Sequence, residues 1–182
     1  SCSNEEAALR QAIAEKGYQG PPVLPDFVFD LIRPILDAYL EKVIANPILM
    51  VTGDDDFAMM QKLVDSYDAD RCAQVAQELA RSGMWQVPTL IRINTMEFGD
   101  DPLYTLDPNL AYVSSKRLAF WRSMAEDFSA EIPEEHREIL KRFNALQMTL
   151  FNAFNRAGVK MLAGSDVGGQ WLVPGFSLHQ EF

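Results

Sequence analysis

The sequence predicts an α/β fold in which a few short strands pair in parallel and helices connect them. Two apolar runs, Met84–Ile91 and Val159–Gly164, have the length and content of buried strands. Around them apolar residues recur at three- and four-residue steps, the period of a helix with one buried face. Helices alternating with single strands form βα units, and such units build parallel sheets. The chain has 182 residues, 48% of them apolar. That suits one domain, or one with an extension, since a domain takes about 150 residues. A closed eight-stranded βα barrel needs about 250 residues, and two strands are too few to close one. Residues 1–67 are expected to be a helical insertion or extension, and residues 68–182 to carry the strands.

The elements follow in order. Ser3 and Glu6 form a capping box for a helix to Lys16, which Gly17 ends. Gly20-Pro21-Pro22-Val23-Leu24-Pro25 is a rigid loop. From Asp26 the apolar residues Phe27, Val28, Leu31, Ile32, Ile35, Leu36, Tyr39, Leu40, Val43 and Ile44 mark a helix, which Pro34 should kink or split. Asn46-Pro47 breaks it. Asp54-Asp55-Asp56 begins a short helix through Phe57, Met60 and Val64. This acidic run lacks the spaced ligands of a calcium loop, so it is read as a helix start at the favourable end of the dipole. Asp68 caps the next helix and Gly83 closes it. After the first strand, Asn94 to Asp107 is loop-like. Helix returns from Pro108 to Glu126, with a break near Ser114-Ser115. Pro133 opens the clearest helix, whose apolar face is Ile139, Leu140, Phe143, Leu146, Leu150, Phe151 and Phe154. Gly158 stops it. After the second strand comes the loop Ser165-Asp166-Val167-Gly168-Gly169, and then a short helix that Ser177 can cap.

Composition excludes several functions. With 16 Lys+Arg against 26 Asp+Glu, the net charge is −10. Nucleic-acid binding needs clustered cations and is not expected. No apolar run reaches the ~20 residues of a membrane span. Two cysteines, Cys2 and Cys72, are too few for a disulfide framework. Two histidines, His136 and His179, stand far apart and form no HxH or HExxH. His136, beside Glu134 and Glu135, is expected on the surface. No basic segment followed by an apolar one marks a signal peptide, and the compartment is not assigned. The ends have the look of a segment cut from a longer gene product.

The most informative residue is Asp166. It follows a short apolar strand and precedes two glycines, so its carboxylate is expected at the carboxyl end of a parallel sheet, where active sites sit. Capping a turn is the plainer alternative. The run Ala157-Gly158-Val159-Lys160-Met161-Leu162-Ala163-Gly164-Ser165-Asp166, followed by Val173-Pro174-Gly175-Phe176-Ser177-Leu178-His179-Gln180-Glu181, resembles the end of the metal-dependent amidohydrolases. The branch is that of imidazolonepropionase-like and Xaa-dipeptidase-like enzymes. Trp85-Gln86-Val87-Pro88-Thr89-Leu90 is similar to that family's seventh strand. The resemblance covers about Asp68 to Phe182, and Phe182 departs from the family's usual Leu.

The resemblance implies a partial (β/α)₈ barrel, with strands seven and eight and their helices. It implies a divalent metal, commonly zinc and one or two ions in number, and hydrolysis of amide, peptide or cyclic amide bonds by metal-activated water. Asp166 then serves as metal ligand and proton shuttle. The family's His ligands match nothing here, so the 182 residues alone are expected to hold no zinc and to hydrolyse no dipeptide. Thr89, Arg92 and Trp171 are candidate substrate contacts. Arg92 would pair with a substrate carboxylate, with an ordinary salt bridge as the alternative, and Trp171 and Phe176 would line an apolar pocket or cover the rim. His179 is a candidate for the outer layer of the site. The expected partner is a small molecule or dipeptide, and a homo-oligomer is left open. The competing reading is a non-catalytic helical or α/β interaction module.

Overall fold

The computed structural model describes residues 2–16, 25–50 and 53–181. Gly17 and most of the proline-rich loop, Gly20 to Leu24, lie outside them. The elements are α1 (Glu6–Lys16), α2 (Asp26–Ala45), α3 (Asp54–Asp65), α4 (Ala69–Ser82), β1 (Trp85–Gln86), α5 (Leu90–Glu97), α6 (Pro102–Thr105), α7 (Ser115–Glu131), α8 (Glu134–Arg156), β2 (Lys160–Met161) and α9 (Phe176–Gln180). Short 3₁₀ turns at Pro47–Met50 and Pro108–Tyr112 connect them.

The molecule is mostly helical and is not a section of a (β/α)₈ barrel. Among the described residues the one sheet has two strands of two residues each. They pair in parallel, Trp85 with Lys160 and Gln86 with Met161, and Leu162 N–H extends the ladder to the Gln86 carbonyl at 2.8 Å. The longer apolar runs do not become buried strands. Pro88 has no N–H to give a ladder, and Thr89 turns into the left-handed region at φ 50°. A parallel sheet is stable when both faces are covered. Here Trp85, Val87 and Leu162 are about half exposed, so nothing draws the strands out further.

The stretch expected as loop from Asn94 is instead the second half of α5, with α6 after it. Pro34 does not split α2, which runs unbroken over 20 residues. Other local signals match. Asp68 Oδ1 accepts from Arg71 N–H at 2.9 Å, Gly83 sits at φ 71°, and Ser114 caps α7. Ser177 is inside α9 rather than ahead of it, and its Oγ accepts from Val173 N–H at 2.8 Å.

Among the described residues two apolar clusters hold the helices. One joins Phe57 of α3 to Met124 and Phe128 of α7 and Leu140 of α8. The other gathers Ile91, Tyr104, Leu110, Trp121, Trp171, Leu172 and Val173. α7 therefore feeds both, Trp121 into one and Met124 and Phe128 into the other. Burying one such side chain is worth roughly 1.5–3 kcal/mol. A fully buried amide, Asn46, fastens the end of α2 to the loop after β2, donating to Gln170 Oε1 at 3.0 Å and to the Met96 carbonyl at 3.1 Å.

The amino-terminal segment is tied down twice. Cys2 and Cys72 form a disulfide across a sequence separation of 70, a loop whose closure contributes about 4 kcal/mol in the chain-entropy account. Ser3 bridges Tyr67, and its hydroxyl meets that of Ser66 at 2.7 Å. His136 is buried, against the expectation of a surface position. Its ring stacks on Phe57 at 3.9 Å, and its Nε2 lies 3.3 Å from Asp54 Oδ1. Packing between the starts of α3 and α8 covers it. No helix among the described residues is long and apolar enough to cross a membrane.

Candidate functional site

Among the described residues, three that are not glycine have positive φ: Thr89 at 50°, Asp166 at 49° and Trp171 at 64°. Such conformations cost about 1 kcal/mol or more each and persist where their surroundings hold them. Thr89 and Asp166 each follow the carboxyl end of a strand of the parallel pair. In open parallel sheets that is the end where ligands bind.

Arg92, in the first turn of α5, joins these segments. Its side chain is buried. Its Nη1 donates to the Ala45 carbonyl at 2.7 Å and its Nη2 to the Ile44 carbonyl at 2.6 Å. These carbonyls end α2, where a cation meets the negative end of the helix dipole. Nε lies 3.7 Å from Asp166 Oδ2, whose side chain is 70% exposed. Burial pulls the Arg92 pKa below its ordinary value, and the Asp166 carboxylate opposes that. Gly169 lets the backbone lie flat on the guanidinium: a Cβ there would sit 2.2 Å from Arg92 Nη1. Asp166 is thus an exposed carboxylate whose inner neighbour is a fixed buried cation.

The other sequence-derived candidates fall differently. Trp171 is buried in the second apolar cluster, and its Nε1 donates to the Gly99 carbonyl at 2.7 Å. Its ring meets Trp121 edge-on, inside the core. Phe176 stacks on Tyr112 at 5.0 Å. His179 is exposed on α9. Nearby Glu181 has the more evident role, because its two carboxylate oxygens accept from Leu90 N–H at 3.0 Å and Ile91 N–H at 2.8 Å. Those amides open α5, and Thr89 supplies no side-chain cap. Glu181 therefore holds in place the helix that presents Arg92.

At the other end of α5 stands a residue that the sequence pattern did not bring forward. Glu97 is only 3% exposed. Asn144 Nδ2 donates to its Oε2 at 2.8 Å and also to Asn94 Oδ1. Burial pushes its pKa up to about 7, against the opposing pull of hydrogen bonds from Asn144 and Gln147. A signal did exist. Once α5 is read as a helix, Leu90, Ile93 and Glu97 share one face at three- and four-residue steps.

The resemblance implies zinc at Asp166, although the 182 residues alone are expected to hold none. Among the described residues no group of three His, Cys, Asp or Glu could hold a metal ion. Asp166 is a single carboxylate with a guanidinium beside it, whereas zinc takes three or four protein ligands. The donor set does not fit a zinc centre. In comparisons with family models, curated proteins and solved structures, the chain matches none.

Proposed function

We propose that Asp166 is the acid–base carboxylate of a hydrolase acting on C–N bonds, with an amide, a dipeptide or a cyclic amide as substrate. One observation carries the proposal. Asp166 stands open to solvent past the carboxyl end of a parallel strand, in a left-handed conformation beside buried Arg92. The motif likeness to amidohydrolases supports the choice of bond. In the proposed reaction the Asp166 carboxylate accepts a proton from the attacking water. It then returns that proton to the leaving nitrogen, so acid and base are one group. Such a group contributes roughly 10²–10⁴-fold to rate. Arg92 is a positioning residue: its Nη1 and Nη2 donate to the Ala45 and Ile44 carbonyls, and its Nε faces Asp166. The donors among the described residues fit no metal ion, so in this reaction the proton moves through Asp166 alone.

The test is Asp166→Asn in the native protein, assayed on dipeptides and a cyclic amide. The expected result is a fall in kcat of about 100-fold or more with KM little changed. Turnover within a few-fold of the native value would end the proposal. One observation favours the interaction-module reading: Leu31, Ile35 and Tyr39 form an exposed apolar stripe on α2. A native protein without turnover on any C–N substrate would favour it.

A further inference from the structure

Trp121 is 4% exposed, yet its indole N–H has no acceptor among the described residues. A buried donor without a partner is costly, because the water it gave up is not replaced. The other two tryptophans differ. Trp171 donates to the Gly99 carbonyl, and Trp85 is more than half exposed. Trp121 also stands between two environments. It belongs to the second apolar cluster, and it lines a cavity of about 330 Å³, at the small end of the range for ligand pockets.

Two segments build the cavity. One is the amino end of α7 with the residues just before it, and the other is the loop that begins one residue past Asp166. Arg117 and Trp121 come from the first. They are four residues apart on α7, so they lie on one face, with about 5–6 Å between their Cβ atoms. Val113, Leu172 and Pro174 supply apolar wall. Gly168 turns the loop there at φ 139°, which a side chain would strain.

The charge around this cavity has one sign. Among its lining residues Arg117 is the one cation, and there is no acid. α7 opens Ser115-Lys116-Arg117, without an acid in its first turn. Cations there oppose the positive end of the helix dipole, and an anion would satisfy both. Arg117 Nη1 already reaches Glu41 at 2.9 Å, in an exposed pair. Such a pair contributes little, and a guanidinium has five N–H donors.

We propose that this cavity binds a small carboxylate with an apolar body, one oxygen accepting from the Trp121 indole N–H and the other from the Arg117 guanidinium. The two oxygens of a carboxylate suit two donors one helical turn apart, and the carbon body covers Val113, Leu172 and Pro174. Inorganic phosphate would leave those apolar walls uncovered. The binding does not require the proton transfer proposed for Asp166, so either claim can fail without the other.

The experiment is calorimetric titration of the native protein with 3-phenylpropanoate. The uncharged 3-phenylpropanamide and inorganic phosphate are the controls. The carboxylate is expected to bind at least tenfold more tightly than either, since a charged partner strengthens the hydrogen bonds. Arg117→Gln changes an exposed residue and should weaken binding about tenfold. Glu41→Gln keeps the cation, removes its acid, and should bind at least as tightly as the native protein. Proton–nitrogen NMR then reads the buried donor directly. The Trp121 indole signal should move downfield on saturation, while those of Trp85 and Trp171 stay in place. No carboxylate binding, equal binding of the amide or phosphate, full affinity in Arg117→Gln, weaker binding in Glu41→Gln, or an unmoved Trp121 signal would each overturn the proposal.

Discussion

At the amino end of α5 a cation, Arg92, is buried, and its carboxylate neighbour Asp166 stands in solvent. At the carboxyl end the carboxylate Glu97 is buried, and the cations nearby, Arg137 and Lys141, are engaged with other acids. The two buried charges are stabilised by different means. Arg92 has two backbone carbonyls and the end of a helix dipole. Glu97 has side-chain amides, and it responds by holding its proton up to about pH 7. Burial alone does not decide whether a group stays charged. What matters is whether the fold supplies partners of opposite sign.

The largest effect should come from the end where the charge is satisfied. Arg92→Ala takes both guanidinium donors from the end of α2, leaving the Ala45 carbonyl with Gln170 N–H alone, and removes the cation beside Asp166. A loss of about 3–5 kcal/mol is expected in urea unfolding. A loss under about 1 kcal/mol would show that the guanidinium does not hold α2 to α5.

Glu97 should give a similar effect that depends on pH. Its folded pKa of about 7 lies above the ordinary 4.5, so the folded state holds the proton more tightly. The chain is then most stable below the ordinary value and loses stability as pH rises through the folded one. The loss should be about 3 kcal/mol between pH 4 and pH 8. Glu97→Gln should remove that slope from a series of unfolding curves. An identical slope in the variant would place the titration elsewhere.

Smaller effects sharpen the contrast. Glu181→Ala removes the acceptor for the first amides of α5 and should cost about 1–2 kcal/mol. Faster hydrogen exchange at Leu90 and Ile91 is the accompanying signature. Asp166→Asn should change stability least, by under about 1 kcal/mol, because its carboxylate is largely solvated. That variant therefore separates a catalytic role from a structural one. A large fall in turnover with an unchanged unfolding midpoint is expected, and a large fall in stability would make Asp166 structural.

Several elements were legible because their signals are local. Asp68 and Gly83 bracket α4, Ser114 starts α7, and the Leu140–Phe154 spacing marks α8. The amino end of α5 was not legible. Its cap is Glu181, some 90 residues further along the chain, so the stretch from Asn94 looked like loop. Glu97 was lost with it, since a carboxylate in a loop gives no reason to expect burial. The apolar runs at Met84 and Val159 have strand composition, but length and burial require neighbours on both sides, and among the described residues each strand has one. The place of Asp166 after β2 was readable. The inward turn of Arg92 was not, because it depends on the end of α2 reaching that spot.

What the sequence determined by itself was most helix boundaries and the acidic character of the molecule, which follow from composition and from interactions within a few residues; the α/β class it suggested gave way to a mostly helical fold. Only the tertiary structure decided which charges are buried, which helix each distant cap serves and how short the parallel pair remains. Those outcomes depend on contacts between segments far apart in the chain. The free energy of such a contact exists only once both partners are in place.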